Sequence, residues 1–211
     1  MHDSANAAAY FVDRHLAEGR ADKPAFREAA GARRSLSYGQ LAEASDRVAG
    51  ALSRVGIARE ERAIMLMLDQ VEFPQVFWGA LKAGVIPVPL NTLLSTDVYA
   101  HILNDSRAAC LFVSAELLPV VLPAALATPS LRRIVVVGGD APEGTVGFDA
   151  FMEGAQPAPM AQVSPDECAF WLYSSGSTGQ PKGVRHVHAS LRATSDTYGA
   201  RVLGIEEGDI V

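Results

Sequence analysis

The hydrophobic pattern begins with helical spacing and then changes to short strand-like runs. Apolar residues between positions 6 and 18 can share one helical face, and Gly19 is placed to end that helix. Two short strand-like runs follow at residues 23–27 and 34–37, and they are joined through Gly31. Strand-like runs joined by a glycine-containing turn predict a β-hairpin.

A long helix is predicted directly after this hairpin. Ser37 and Gln40 have the spacing of a capping box, in which each side chain accepts a hydrogen bond from the backbone N–H of the other residue. Apolar residues then keep helical spacing until Gly56, where the helix is expected to end.

From residue 62 to residue 137, predicted strands and helices alternate. The strands are short and mostly apolar, and they cover residues 62–68, 85–90, 108–113 and 134–137. The helices between them cover residues 72–83, 95–106 and 115–127. Because strands that are apolar on both faces need cover on both faces, we predict an α/β fold with a doubly wound, mainly parallel sheet.

The composition changes after residue 138. Residues 138–165 are rich in glycine, proline and acidic residues, and we interpret them as a connector with one short helix near residues 148–153. We therefore expect a first α/β subdomain in residues 1–165. Residues 166–211 are expected to form a hairpin and a following helix, which begin a second, incomplete subdomain.

Composition excludes several classes of protein. Hydrophobic residues make up 49% of the chain and charged residues 20%, which is typical of a globular protein. The net charge of −6 argues against a nucleic-acid partner. Cys110 and Cys168 lie in apolar runs and are expected to be buried free thiols rather than a disulfide. No membrane span or signal peptide is visible, so we expect a cytoplasmic protein with no membrane partner.

The loop between the strand-like runs 168–173 and 184–188 carries the candidate chemistry. From Ser174 to Gln180 it contains three serines, two glycines and a threonine, and Lys182 follows. Glycines let a backbone approach a ligand closely, successive N–H groups bind anions, hydroxyls donate hydrogen bonds and lysine adds a positive charge. This combination favours a polyphosphate ligand. The alternative is a serine-rich hairpin loop with an exposed lysine.

Three better-known motifs do not fit this loop. Lys182 follows Pro181 and precedes Gly183, whereas a Walker A loop needs Gly-Lys-Ser/Thr. The Gly176-x-x-Gly179 spacing lacks the third glycine and the directly following helix of a dinucleotide-binding turn. Neither Ser175 nor Ser177 has the two flanking glycines of a nucleophile elbow.

The loop does resemble the signature sequence of the adenylate-forming superfamily, which includes acyl- and aryl-CoA ligases, luciferases and peptide-synthetase adenylation domains. That signature is Tyr-(Thr/Ser)-Ser-Gly-(Thr/Ser)-Thr-Gly-x-Pro-Lys-Gly, and every position from Tyr173 to Gly183 matches it. Segments 6–15, 22–26 and 84–94 are similar to the benzoate-type aryl-CoA ligases in particular.

The resemblance implies an enzyme that uses ATP and Mg²⁺ to join a carboxylic acid to coenzyme A. The similarity to benzoate-type ligases implies that this acid is an aryl acid. It assigns contacts with the ATP phosphates to the following residues: Ser174, Ser175, Gly176, Ser177, Thr178, Gly179 and Lys182. Lys182 is the expected catalytic residue, because its charge would offset that of the departing pyrophosphate. No residue of the chain is predicted to be a metal ligand, and a homodimer is compatible with the resemblance.

The resemblance also implies that these residues are the N-terminal portion of a longer enzyme. The segment that binds adenine and ribose and the small C-terminal domain with its lysine would lie beyond Val211, so this portion alone is expected to be inactive. Two alternatives stay open. One is a fatty acyl-CoA ligase or a domain that loads a carrier protein, and the other is a non-catalytic nucleotide-binding module.

Two histidines close to the loop have two interpretations. His186 and His188 would lie on one face of a strand, a spacing that also suits a metal site. Because no third ligand is near in the sequence, we favour a structural role. The resemblance assigns His188 only a local hydrogen bond.

Overall fold

The N-terminal part of the chain is a helix, a hairpin and a second helix. The computed structural model describes residues 4–175 and 179–210. Helix α1 is π-helical over Ala9–Asp13 and α-helical over Arg14–Ala17. Strands β1 (Pro24–Arg27) and β2 (Ser35–Ser37) pair antiparallel, and helix α2 (Tyr38–Arg54) follows directly. The predicted hairpin and both predicted helices are confirmed.

The capping box at the start of α2 forms as predicted. Ser37 Oγ accepts a hydrogen bond from the Gln40 backbone N–H at 3.3 Å, and Gln40 Oε1 accepts one from the Ser37 N–H at 2.9 Å. Two of the otherwise unpaired N–H groups at the helix start are thereby satisfied, which fixes where α2 begins.

The central sheet contains five parallel strands. These are β3 (Arg62–Leu66), β4 (Ile86–Pro89), β5 (Cys110–Ser114), β6 (Arg133–Val137) and β7 (Val146–Gly147). They lie in the order β4-β3-β5-β6-β7. The chain therefore moves from β3 to one side and then returns to the other, which makes the sheet doubly wound. The predicted fold class is confirmed.

Helices cover both faces of this sheet. Helix α2, α3 (Glu72–Ala83) and α6 (Phe148–Met152) cover one face, and α4 (Thr96–Asp105) and α5 (Leu118–Leu126) cover the other. Helix α7 (His188–Thr194) comes later in the chain and continues as a π-helical stretch at Ser195–Leu203. Successive residues of β3 point to opposite faces: Ala63 and Met65 join the apolar cluster under α2 and α3, and Ile64 and Leu66 join the cluster under α4 and α5.

The interpretation of residues 138–165 as a connector was wrong in part. The short helix near residues 148–153 is confirmed as α6, but β7 lies before it and pairs with β6, with Val135 opposite Val146. A two-residue strand that contains a glycine is too short to show an apolar run or an alternation of apolar and polar residues, the two patterns that predict a strand. Its place in the sheet comes from pairing with β6 and not from its own sequence.

A fully buried lysine connects three helices. Lys82 on α3 has no exposed side-chain surface, and its ammonium donates to Asp13 Oδ1 on α1 and to Asp46 Oδ1 on α2, each at 2.7 Å. It also lies 3.4 Å from the Ala42 carbonyl oxygen. A buried ammonium needs such partners, because water cannot solvate it there.

We expect Lys82→Ala to lower the free energy of unfolding by about 2–4 kcal/mol, since it leaves a cavity and two carboxylates without their cation. Lys82→Met should lose less, because the methionine fills most of the volume. Chemical denaturation measures both, with Glu43→Ala on the exposed face of α2 as the control. A loss in Lys82→Ala no larger than in Glu43→Ala would show that the buried ion pairs contribute nothing.

His15 on α1 is held in its neutral form. Its ring lies against Tyr38 with a centroid distance of 3.9 Å, and its Nδ1 accepts a hydrogen bond from Arg20 Nε at 2.9 Å. Burial, together with the positive charges of Arg14, Arg20 and Lys23, lowers the pKa of His15 from 6.5 to about 4.

This lowered pKa predicts a pH dependence of stability. Because the unfolded chain binds a proton at His15 below pH 6.5 and the folded chain only below about 4, His15 makes the fold less stable as pH falls through that window. His15→Gln should therefore flatten the dependence of the thermal midpoint on pH within the window and leave it unchanged above pH 7. An unaltered slope below pH 6.5 would contradict the assignment.

Candidate phosphate-binding site

The predicted loop lies at the turn of an antiparallel hairpin. Strand β8 (Cys168–Ser175) pairs with β9 (Pro181–Val187), so both predicted flanking strands are confirmed. The register places Ser174 opposite Lys182 and Tyr173 opposite Gly183. The hairpin thus brings a hydroxyl-bearing residue and the lysine to the same end, on either side of the turn.

The structure describes only part of the predicted phosphate-contacting set. Ser174, Gly179 and Lys182 lie in the described residues and are exposed to solvent. Ser175 is the last residue of β8. Gly176, Ser177 and Thr178 fall outside the described residues, and their predicted contacts stay predictions.

Gly179 has a backbone conformation that favours glycine. Its φ is +95°, and a Cβ added there would meet no described atom within 4 Å. The requirement for glycine is therefore one of backbone conformation and not of space. Exposed N–H groups in such a turn are suited to an anionic ligand.

Helix α4 contacts the hairpin next to the turn. The Tyr173 hydroxyl donates a hydrogen bond to Asp105 Oδ2 at 2.6 Å. His101 Nε2 lies 3.2 Å from the Pro181 carbonyl oxygen, and it is the donor because a carbonyl oxygen only accepts. Burial and the Asp105 carboxylate both raise the pKa of Tyr173, so this hydroxyl keeps its proton.

Sequence reasoning missed His101 and Asp105. Neither belongs to the loop motif, and each contacts a hairpin residue that is far away in the chain, 80 positions for His101 and 68 for Asp105. The available signal was their spacing of four on a predicted helix, which places both side chains on one face. That spacing identifies a face but not its partner.

The two histidines of β9 and α7 have separate roles. His186 stacks on Phe170 with a centroid distance of 4.5 Å, whereas His188 is buried and its Nδ1 accepts a hydrogen bond from the Ala7 N–H at 3.1 Å. Burial lowers the pKa of His188, which keeps the acceptor nitrogen unprotonated. His188 is therefore a hydrogen-bonding group, as predicted, but its partner Ala7 is 181 positions away in the chain and the bond is not local. Within residues 4–175 and 179–210, no group of three or more His, Cys, Asp or Glu side chains is arranged to hold a metal.

The cysteines are free thiols, as predicted. Cys110 is fully buried, and burial raises its pKa to about 12. Cys168 is half-buried and accepts a hydrogen bond from Trp171 Nε1 at 3.1 Å. The raised pKa values disfavour the reactive thiolate at both positions.

No helix in the described part of the chain is long and apolar enough to cross a membrane.

Comparisons with known proteins match this chain to enzymes that bind AMP and to CoA ligases. The family model described as AMP-binding enzyme matches residues 13–211. The chain is 46% identical over 210 residues to a 4-hydroxybenzoate–CoA/benzoate–CoA ligase of Rhodopseudomonas palustris, and it is 40% identical over 207 residues to a benzoate–CoA ligase of Thauera aromatica. Each alignment covers 98% of this chain and 38% of the relative.

A solved structure extends the likeness to the fold. The structure of an anthranilate CoA ligase in complex with anthranoyl-AMP is 34% identical to this chain and superposes with a TM-score of 0.90. The match covers 99% of this chain and 40% of that one. The chain thus spans well under half the length of these relatives.

Proposed function

The chain belongs to the AMP-binding enzyme family, and from this we propose that it supplies the phosphate-binding hairpin of an ATP-dependent ligase that joins an aryl acid to coenzyme A. The observation that carries the proposal is the complete signature from Tyr173 to Gly183 at the turn of β8 and β9, with Ser174 opposite Lys182. The signature supplies hydroxyls, turn amides and an ammonium within a few residues of one another in the sequence, which suits a triphosphate.

The proposed reaction has two steps. In the first, a carboxylate oxygen attacks the α-phosphorus of ATP, which forms an acyl-adenylate and releases pyrophosphate. In the second, the thiol of coenzyme A attacks the acyl carbon, loses its proton and displaces AMP, which leaves a thioester. A carboxylate is a poor electrophile and AMP is a good leaving group, so the first step supplies the activation that the second step uses.

The role of the hairpin belongs to the first step. Ser174, Ser175, Ser177 and Thr178, with the amides of Gly176 and Gly179, would bind the β- and γ-phosphates. Lys182 would offset the charge that develops on departing pyrophosphate, which is positioning and electrostatic stabilisation and not covalent chemistry. Residues 166–211 would begin a second subdomain, which carries this hairpin and follows the first subdomain of residues 1–165.

Magnesium fits this scheme as part of the substrate. The described residues do not form a cluster of carboxylates that would hold a divalent cation by themselves. Mg²⁺ would arrive on the phosphate oxygens of ATP, because a hard cation that keeps several of its waters is usually bound through substrate phosphates. We assign it no ligand from this chain.

The aryl acid is supported by the relatives. Those in Rhodopseudomonas palustris and Thauera aromatica are named as benzoate-activating ligases, and the superposed structure holds an aryl adenylate. A fatty acyl-CoA ligase of Mycobacterium tuberculosis is also related, at 32% identity over 176 residues. The acid panel of the following experiment separates these two classes.

We expect acid-dependent exchange of pyrophosphate into ATP by the full-length protein that carries these residues. Benzoate or a hydroxybenzoate should support it, and Lys182→Ala should slow it by about 100-fold. The thermal midpoint should not change, because Lys182 is exposed.

Lys23→Ala is the matched control, since it removes a lysine that pairs with Glu207 and has no contact with β8 or β9 among the hydrogen bonds and ion pairs of the described residues, and it should keep normal exchange. Exchange with octanoate and not with aryl acids would replace the aryl assignment with the fatty acyl one. Exchange with none of these acids would contradict the ligase proposal. A Lys182→Ala protein that is unfolded would instead show a structural role for this lysine.

A further inference from the structure

Two side chains of α4 contact the hairpin near Lys182, one on each strand. His101 and Asp105 are four residues apart on α4, so they lie one turn apart on the same face. His101 Nε2 donates to the Pro181 carbonyl oxygen on β9 at 3.2 Å, and Tyr173 on β8 donates to Asp105 Oδ2 at 2.6 Å. Each strand of the hairpin therefore has its own hydrogen bond to the helix.

The first of these bonds fixes the peptide group before Lys182. The carbonyl carbon of Pro181 is bonded directly to the backbone nitrogen of Lys182. A hydrogen bond to its oxygen restricts rotation of that planar unit, because the peptide moves as one rigid group. The direction in which the Lys182 backbone leaves Pro181 is thereby constrained.

The second bond acts on the residue after Lys182. The Tyr173 ring lies over Gly183, where an added Cβ would come within 3.2 Å of Tyr173 Cζ and of Trp171 Cε3. Gly183 therefore lets the Tyr173 ring pass close to the β9 backbone on its way to Asp105. Lys182 thus lies between Pro181, which accepts a hydrogen bond from α4, and Gly183, which is covered by the ring of Tyr173. The hydroxyl of that ring donates a hydrogen bond to α4.

We propose that His101, Asp105 and Tyr173 are positioning residues that hold the backbone of Lys182 in place for ATP. The inference rests on the proposed function, because it assumes that the Lys182 ammonium meets a phosphate. The lysine side chain is long and flexible, and ordering it has an entropic cost. A fixed backbone limits the region that the ammonium explores, so less freedom remains to be lost when ATP binds.

The test is the affinity of the full-length protein for Mg-ATP, measured by calorimetry, together with the KM values for ATP and for the acid in pyrophosphate exchange. His101→Ala and Tyr173→Phe should each raise the Kd for Mg-ATP about three- to tenfold, the usual effect of losing one hydrogen bond. The KM for the acid should stay unchanged. His101→Gln should restore affinity, since its side-chain amide offers an N–H donor to the same carbonyl.

The control is Asn104→Ala, because Asn104 is an exposed residue of α4 whose side chain donates to its own helix, at Ala100, and not to the hairpin. It should bind Mg-ATP as the wild type does. If His101→Ala and Tyr173→Phe bind Mg-ATP like the wild type, or raise the KM for the acid as much as that for ATP, the proposal is wrong. A similar loss in Asn104→Ala would also overturn it.

The same measurements separate this proposal from the ligase assignment. A wild-type protein that binds Mg-ATP but exchanges pyrophosphate with no acid would contradict the ligase function, and the Kd values of the variants would still decide the role of α4. A wild-type protein that does not bind Mg-ATP would overturn both.

Discussion

The structure depends on the need to bury both faces of the central strands. In β3, the residues that follow Arg62 are all buried, and β5 is buried throughout. Such strands have no face that water can reach, so the sheet needs a layer of helices on each face; α2 and α3 belong to one layer and α4 and α5 to the other. The positions of the other elements follow from how they complete these two layers.

The helix layer that contains α2 and α3 also holds a buried charge. Lys82 on α3 is fully buried, and it is neutralised by Asp13 and Asp46 on two different helices. Burying an ammonium is costly unless its partners are well placed, so the three helices can pack in few relative positions. This arrangement positions α1, and Ala7, two residues before α1, donates to His188 at the start of α7.

The helix layer on the other face supports the candidate phosphate-binding hairpin. On the other face, α4 packs Tyr99, Ile102 and Leu103 into the apolar cluster of the sheet. Its His101 and Asp105 side chains are therefore held by a rigid element, and the hairpin hydrogen bonds to them. Placing a charged group next to a rigid, well-packed element is a common way to position it accurately.

Local sequence patterns predicted much of this molecule, and contacts between distant residues account for the rest. The capping box at Ser37 and the apolar strands are readable, because the information lies within a few residues. The signature at Tyr173–Gly183 identified the candidate loop for the same reason. Strand β7 and the contacts of His101 and Asp105 were missed, because each depends on a partner that only the folded chain brings near. The division at residue 165 stays a prediction.

The most direct measurement is amide hydrogen exchange of the full-length protein with and without Mg-ATP. If the hairpin binds the phosphates, amides in residues 174–183 should exchange more slowly when Mg-ATP is present, and those of α5 should not change. Slowing that is absent from residues 174–183 and confined to another part of the protein would contradict the central claim that this hairpin is the phosphate site.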